Sequence, residues 1–185
     1  PRRIDAIRHR YVEQGVYGTR IAALQTPPGA LPVADYVANL VVSTRVLAGE
    51  QETRWDPAEQ TRIVRPAGGV AWRSAEASAD QRPPLPGAGG WTHQYGNLAN
   101  TAASDDAYIH WDLRLQWFGG QGPAQMVDRH LRAPAPLASG GRLFVSGENS
   151  LVCVDSYHGT EYWRIDLPGA QRYSMPYDCG YSSVD

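Results

Sequence analysis

The sequence contains no lysine: all 17 basic residues are arginine, set against 19 acidic ones for a net charge of −2. No basic run is longer than Arg2-Arg3, which leaves no electrostatic footprint for nucleic acid or an anionic membrane surface. Two cysteines, Cys153 and Cys179, are too few for a disulfide framework, and no CxxC or paired Cys/His spacing marks a zinc site. The longest apolar run, Tyr36 to Val42, falls far short of the roughly 20 residues that span a bilayer. A G-x-S-x-G elbow, which would present a serine nucleophile on a sharp strand-to-helix turn, is missing, and Ser146-Gly147 falls in an expected hairpin instead. No signal peptide is recognisable. The chain opens on Pro1 in a helical pattern and stops at Asp185 after a turn-rich stretch, so it reads as an internal fragment, in which that last absence carries no meaning.

What is present divides into two styles. Ile4, Ile7, Tyr11 and Val12 recur at helical spacing between Arg and Glu residues, and Gly15 and Gly18 end that helix. Arg20 to Leu24 is a short apolar run expected as a strand. Tyr36 to Ser43 predicts a strand buried on both faces. Asp56-Pro57 supplies an N-cap and a first-turn proline for a helix over 57–64, and Val70 to Trp72 starts another strand. Strands alternating with helices imply parallel pairing, because parallel neighbours need a crossover, and hence a partial Rossmann-like α/β module over residues 1–75. Residues 76–90, rich in Pro, Gly and Ala, read as a linker without regular ladders.

From residue 91 to 185 the periodicity changes. Arg142–Ser146, Leu151–Asp155 and Glu161–Leu167 are short strands separated by Gly147-Glu148-Asn149 and Tyr157-His158-Gly159 turns, an antiparallel meander. Leu113–Phe118 repeats the character of Tyr162–Leu167, and Trp117 and Trp163 are spaced by about one propeller blade, roughly 40–50 residues. The fold class expected is therefore mixed, a partial α/β Rossmann-like module followed by an antiparallel β-propeller blade.

Val152-Cys-Val-Asp155, Tyr157-His-Gly-Thr160 and Tyr162-Trp163 resemble the repeat of pyrroloquinoline-quinone (PQQ)-type propellers, in which an apolar strand ends in Asp, a Gly turn follows and Trp closes the next strand. That resemblance implies a scaffold role for Trp117 and Trp163, each burying its ring against a neighbouring blade while its indole N–H finds a carbonyl. Trp91–Thr101 resembles the entry segment of such propellers. With Asp128-Arg-His130, Ala133–Pro136 and Gly141–Phe144 it is similar to planctomycete-type proteins that carry PQQ-like repeats beside a methyltransferase-like region.

In the first half, Gly29-Ala-Leu-Pro32, Tyr36–Ser43 and Arg62–Gly69 look like pieces of S-adenosylmethionine-dependent methyltransferases: the loop after the third strand, the fourth strand, and the helix-to-fifth-strand turn. Gly68 and Gly69 are read as a structural turn. The resemblance implies that Thr26, Ala30 and Leu31 line an adenine pocket and that Ser43 sits at the carboxyl end of the fourth strand, where ligands gather in open α/β sheets. It also implies that the Gly-rich turn and the acidic ribose ligand precede Pro1, so that the chain in isolation lacks the main cofactor contacts and is inactive.

No catalytic residue and no metal ligand is assigned. His93 with His110 and Asp128 with His130 match no metal spacing. PQQ would need a pocket built from several blades, so it is not expected here. The expected activity is methyl transfer, with the missing Rossmann strands and further blades as partners, together with a possible protein partner. A rival reading is a non-enzymatic propeller scaffold or protein-binding module whose α/β half has lost its cofactor. Thr26, where the comparison leads one to expect a carboxylate or amide, favours that rival. A quinone-dependent dehydrogenase is a third reading. The compartment follows the dominant module: cytoplasm for a methyltransferase, periplasm or cell envelope for a propeller.

Overall fold

The computed structural model describes residues 2–27, 29–50, 55–72, 80–119, 135–147 and 149–168. Helix α1, Arg2–Glu13, carries the expected apolar positions. It closes through Gly15, whose φ of 68° lets its N–H reach the Val12 carbonyl at 2.9 Å and the next N–H, of Val16, reach Tyr11. Arg20–Leu24 is not a strand. Arg20 and Ile21 instead donate back to the Val16 carbonyl, so local turn bonds take the groups a ladder would use.

Strand β1 is Leu40–Val42, shorter than the expected 36–43 and not buried on both faces: only Val41 is buried, while Leu40 is 57% exposed. The reason is its position at the edge of a three-stranded sheet of order β1-β2-β3. Tyr36, at φ 62°, turns the chain before the strand begins. Helix α2, Thr44–Leu47, follows under an N-cap from Ser43. Helix α3, Pro57–Ile63, starts as the Asp-Pro pair predicts, with the Asp56 carboxylate accepting from the Ala58 N–H at 2.9 Å. Both helices lie in the crossover to β2, Val70–Trp72, which pairs with β1 in parallel, Val41 opposite Ala71. Val41, Ile63 and Val64 form the small core of this half, with Leu31, Ala38, Trp55 and Ala71 packed against it.

Between α3 and β2 the chain folds sharply on itself, and a Cβ at Gly69 would lie 2.8 Å from the Arg65 amide nitrogen. Glycine is therefore a steric requirement at that point. Asp80–Gln81 form β3, antiparallel to β2, inside the stretch expected to carry no ladder. Three backbone bonds carry the association past the strand: Gly68 and Ala67 donate to the Arg82 and Pro83 carbonyls, and Arg82 donates to Gly69. The Arg82 side chain reinforces this by donating to the Thr61 and Val64 carbonyls at the end of α3 and lying 4.9 Å from the Tyr36 ring centre. Composition alone could not register a strand whose partners lie in another element.

The second sheet is a meander of β4 (Leu137–Ser139), β5 (Arg142–Gly147), β6 (Ser150–Asp155) and β7 (Glu161–Asp166), antiparallel and in chain order. Its interior is β6, where Val152, Cys153, Val154 and Asp155 are all buried, whereas every residue of β7 is exposed. Trp91 attaches to the free side of β4 by reciprocal bonds with Ala138. Leu113–Phe118, expected to repeat β7, forms no strand. It finds no ladder partner among the described residues, and Leu113, Leu115 and Phe118 are 79–89% exposed. Asp128, His130, residues 120–134 and Cys179 lie outside the described residues.

The two sheets share no ladder, but they are joined by a buried polar junction. Arg65, from the turn after α3, donates through Nε to the Asp155 carboxylate at the end of β6, and the two residues are 7% and 0% exposed. The same carboxylate accepts the Tyr162 hydroxyl at 2.6 Å and the backbone N–H of Tyr157 at 2.8 Å. Around this pair, Tyr36 meets Tyr157 edge to face at 5.8 Å, and His158 Nε2 lies 3.0 Å from Asn39 Oδ1.

Candidate functional site

At the carboxyl end of β1 the α/β half opens a cavity of about 510 Å³. Four segments wall it: Ile4 of α1, the stretch Leu24–Pro27 with Gly29 and Leu31, residues 43–45 where β1 passes into α2, and Trp55 with Glu59 before and within α3. Of the residues named from the sequence, Thr26, Leu31 and Ser43 line this one cavity, whereas Ala30 is not among its lining residues. Ala30 instead turns with its N–H on the Pro27 carbonyl.

The wall is set by a charged clamp that the sequence reading missed. Glu59 is almost buried, and its Oε1 accepts the Leu31 N–H at 2.8 Å and Arg62 Nη2 at 2.7 Å, while Oε2 accepts Arg62 Nε at 2.7 Å. Arg62 continues outward to the Leu31 and Val33 carbonyls and to Asp35. Hydrogen bonding from Arg62, followed by the Leu31 N–H, holds the Glu59 carboxyl at about 2 against its ordinary 4.5. Hydrogen bonding to Glu59, and then to Asp35, raises the Arg62 guanidinium in turn. Glu59 and Arg62, three apart on one helix face, were the only advance sign of this clamp.

Ser43 serves locally, its hydroxyl accepting the Arg45 N–H at 3.1 Å as the cap of α2. This cap turns residues 43–45 into the cavity wall instead of letting β1 run on. Arg45 pairs through Nη2 with Glu50 at 2.8 Å, while its Nε is buried with no hydrogen-bond partner.

In the meander, the Trp117 indole N–H donates to the Ser156 carbonyl at 3.0 Å, and its six-membered ring lies directly on Gly159, where a Cβ would overlap it. Gly159, at φ 70°, closes the turn between β6 and β7. Trp163 is 38% exposed and stacks obliquely on Phe144 at 6.0 Å. Among the described residues no group of three or more His, Cys, Asp or Glu side chains is arranged to hold a metal ion, and no helix is long and apolar enough to cross a membrane. Comparison with known proteins found no matching family model, curated protein or solved structure.

Proposed function

We propose that the chain joins part of an S-adenosylmethionine-dependent methyltransferase-like module to the opening blade of a PQQ-like propeller, and that the cavity beside β1 receives the adenine side of the cofactor. The observation that carries this reading is the convergence of Thr26, Leu31 and Ser43, named from the sequence, on one cavity at the carboxyl end of a strand in a parallel pair. The residues fit such a group. Trp55 and Leu31 offer apolar area to a flat heterocycle, and Thr26 and Gln25 offer polar atoms at the same wall. When bound, the cofactor supplies an electrophilic methyl group on a sulfonium. The chain's own contribution is to bind and orient, with the Glu59–Arg62 clamp holding the Leu31 loop in place.

The propeller-like half is a scaffold in this reading. The packing of Trp117 on Gly159, with its N–H on the Ser156 carbonyl, is a structural contact with the turn between β6 and β7, and it supports a scaffold role for that tryptophan. A quinone-dependent activity draws no support from any side chain described above. Calorimetric titration of S-adenosylmethionine into the protein expressed from its complete coding sequence tests the proposal. Saturable heat that is lost on Leu31→Asp is expected, and no heat at millimolar ligand would leave only the scaffold.

A further inference from the structure

We propose that residues 109–115 are an interaction surface for a second copy of this chain, the two copies pairing there as antiparallel strands about a two-fold axis at Leu113. The surface lies apart from the cofactor cavity and does not rest on the methyltransferase reading. Its side chains stand in solvent: Trp111 is 100% exposed, and Ile109, Leu113 and Leu115 are 70–80% exposed. A contiguous row of large apolar side chains facing water marks a contact surface. Both ends of the row are tied to the body. Upstream, the Asp106 carboxylate accepts the N–H groups of Gly89 at 2.8 Å and of Tyr108 at 2.7 Å. Downstream, Gln116 donates to the Tyr157 carbonyl and the Trp117 indole to that of Ser156. The row is therefore held out between two anchors.

Self-complementarity selects the occupant. Apolar residues at 109, 111, 113 and 115 alternate with His110, Asp112 and Arg114, the pattern of a strand with one apolar face. Antiparallel pairing centred on Leu113 sets Trp111 opposite the partner's Leu115 on that face and Asp112 opposite the partner's Arg114 on the other, each contact occurring twice because the interface is isologous. A slip of one residue brings apolar side chains opposite charged ones. A slip of two sets Asp112 against Asp112 or Arg114 against Arg114. One register alone satisfies both faces. In it the backbone N–H and C=O groups of Asp112 and Arg114 point at the partner, and among the described residues none of these groups is engaged. The Leu113 N–H and the Trp111 carbonyl point away, and they are already joined to each other at 2.9 Å. The Asp112 and Arg114 side chains bridge each other at 2.7 Å while 73% and 82% exposed, an ion pair that contributes little in water and gives way readily to one across the axis.

Sedimentation velocity of the protein expressed from its complete coding sequence tests the proposal. A reversible monomer–dimer equilibrium is expected, weak because the interface is small. Asp112→Arg and Arg114→Asp each set like charges against one another and should raise the dissociation constant by about tenfold or more. Mixed in equal amounts, these two variants present opposite charges at both contacts, so dimers should reappear, an outcome that a folding defect cannot imitate. Leu113→Cys, on the axis, should cross-link to itself under mild oxidation, read by mass spectrometry of the joined peptide, whereas Leu115→Cys, facing the partner's Trp111, should not. A monomer at millimolar concentration overturns the proposal, as does a dimer that tolerates both charge reversals or one that joins position 115 to itself as readily as 113. Monomers that bind phosphatidylcholine vesicles would assign the apolar row to a bilayer surface and refute the second copy.

Discussion

Asp155→Ala is the perturbation that puts the architecture most directly at risk. The substitution removes the acceptor of the Arg65 Nε, of the Tyr162 hydroxyl and of the Tyr157 N–H in a place where Asp155 has no exposed surface and Arg65 is 7% exposed. Breaking a buried pair by deleting one partner costs about 3–5 kcal/mol, because the surviving charge stays buried without compensation. For a domain of this size each kcal/mol moves the midpoint by roughly 2–4 °C, so the melting temperature is expected to fall by about 6–20 °C. Calorimetric scans or urea titration followed by tryptophan fluorescence and far-UV circular dichroism measure it. Because the pair joins two sheets that share no ladder, the two probes should coincide before the substitution and separate after it. The double variant Arg65→Met/Asp155→Leu should recover much of the loss, since neither charge then remains unpaired. A loss below about 1 kcal/mol for Asp155→Ala, or additive effects in the double variant, would refute the idea that this pair couples the two halves.

Further outcomes follow from single contacts. Gly159→Ala inserts a methyl group into the Trp117 ring and forces a positive-φ position to carry a side chain, so it should cost about 1–3 kcal/mol, read by denaturant midpoint; Trp117→Phe, which loses both the N–H bond and part of the ring packed on Gly159, should cost at least about 1 kcal/mol. Asp56→Ala removes the cap of α3 and should destabilise by about 1 kcal/mol, with Asp56→Ser largely neutral. Glu59 has a lowered folded-state value, so its stabilising contribution is present above about 4.5 and is lost as pH falls from there toward about 2. Stability measured across that window should decline more steeply than in Glu59→Gln, which lacks the titrating carboxyl.

Local chemistry explains what could be read in advance. Asp56-Pro57 marked the start of α3, and Gly15 the end of α1, because caps and glycine turns depend on neighbours in sequence. Short apolar runs with turn residues such as Gly and Asn between them marked β5, β6 and β7 for the same reason. Reading failed where a partner strand was decisive. Tyr36–Ser43 was apolar enough for a central strand, yet it lies at an edge and pairs over three residues, and Asp80–Gln81 pairs despite a composition that argues against it. Leu113–Phe118 has a strand's alternation but no ladder to join among the described residues.

By itself, then, the order of residues determined where α3 begins, where α1 stops, and that β5, β6 and β7 follow one another as an antiparallel meander. Tertiary structure alone decided that Thr26, Leu31 and Ser43 meet at one cavity without Ala30, that Glu59 and Arg62 brace its wall, and that Arg65 finds Asp155 across the chain. The physical reason is range. Capping and periodicity act over one or two turns of chain, whereas burial of a charge is tolerable only where a distant segment brings its counter-charge, and no local pattern encodes that meeting.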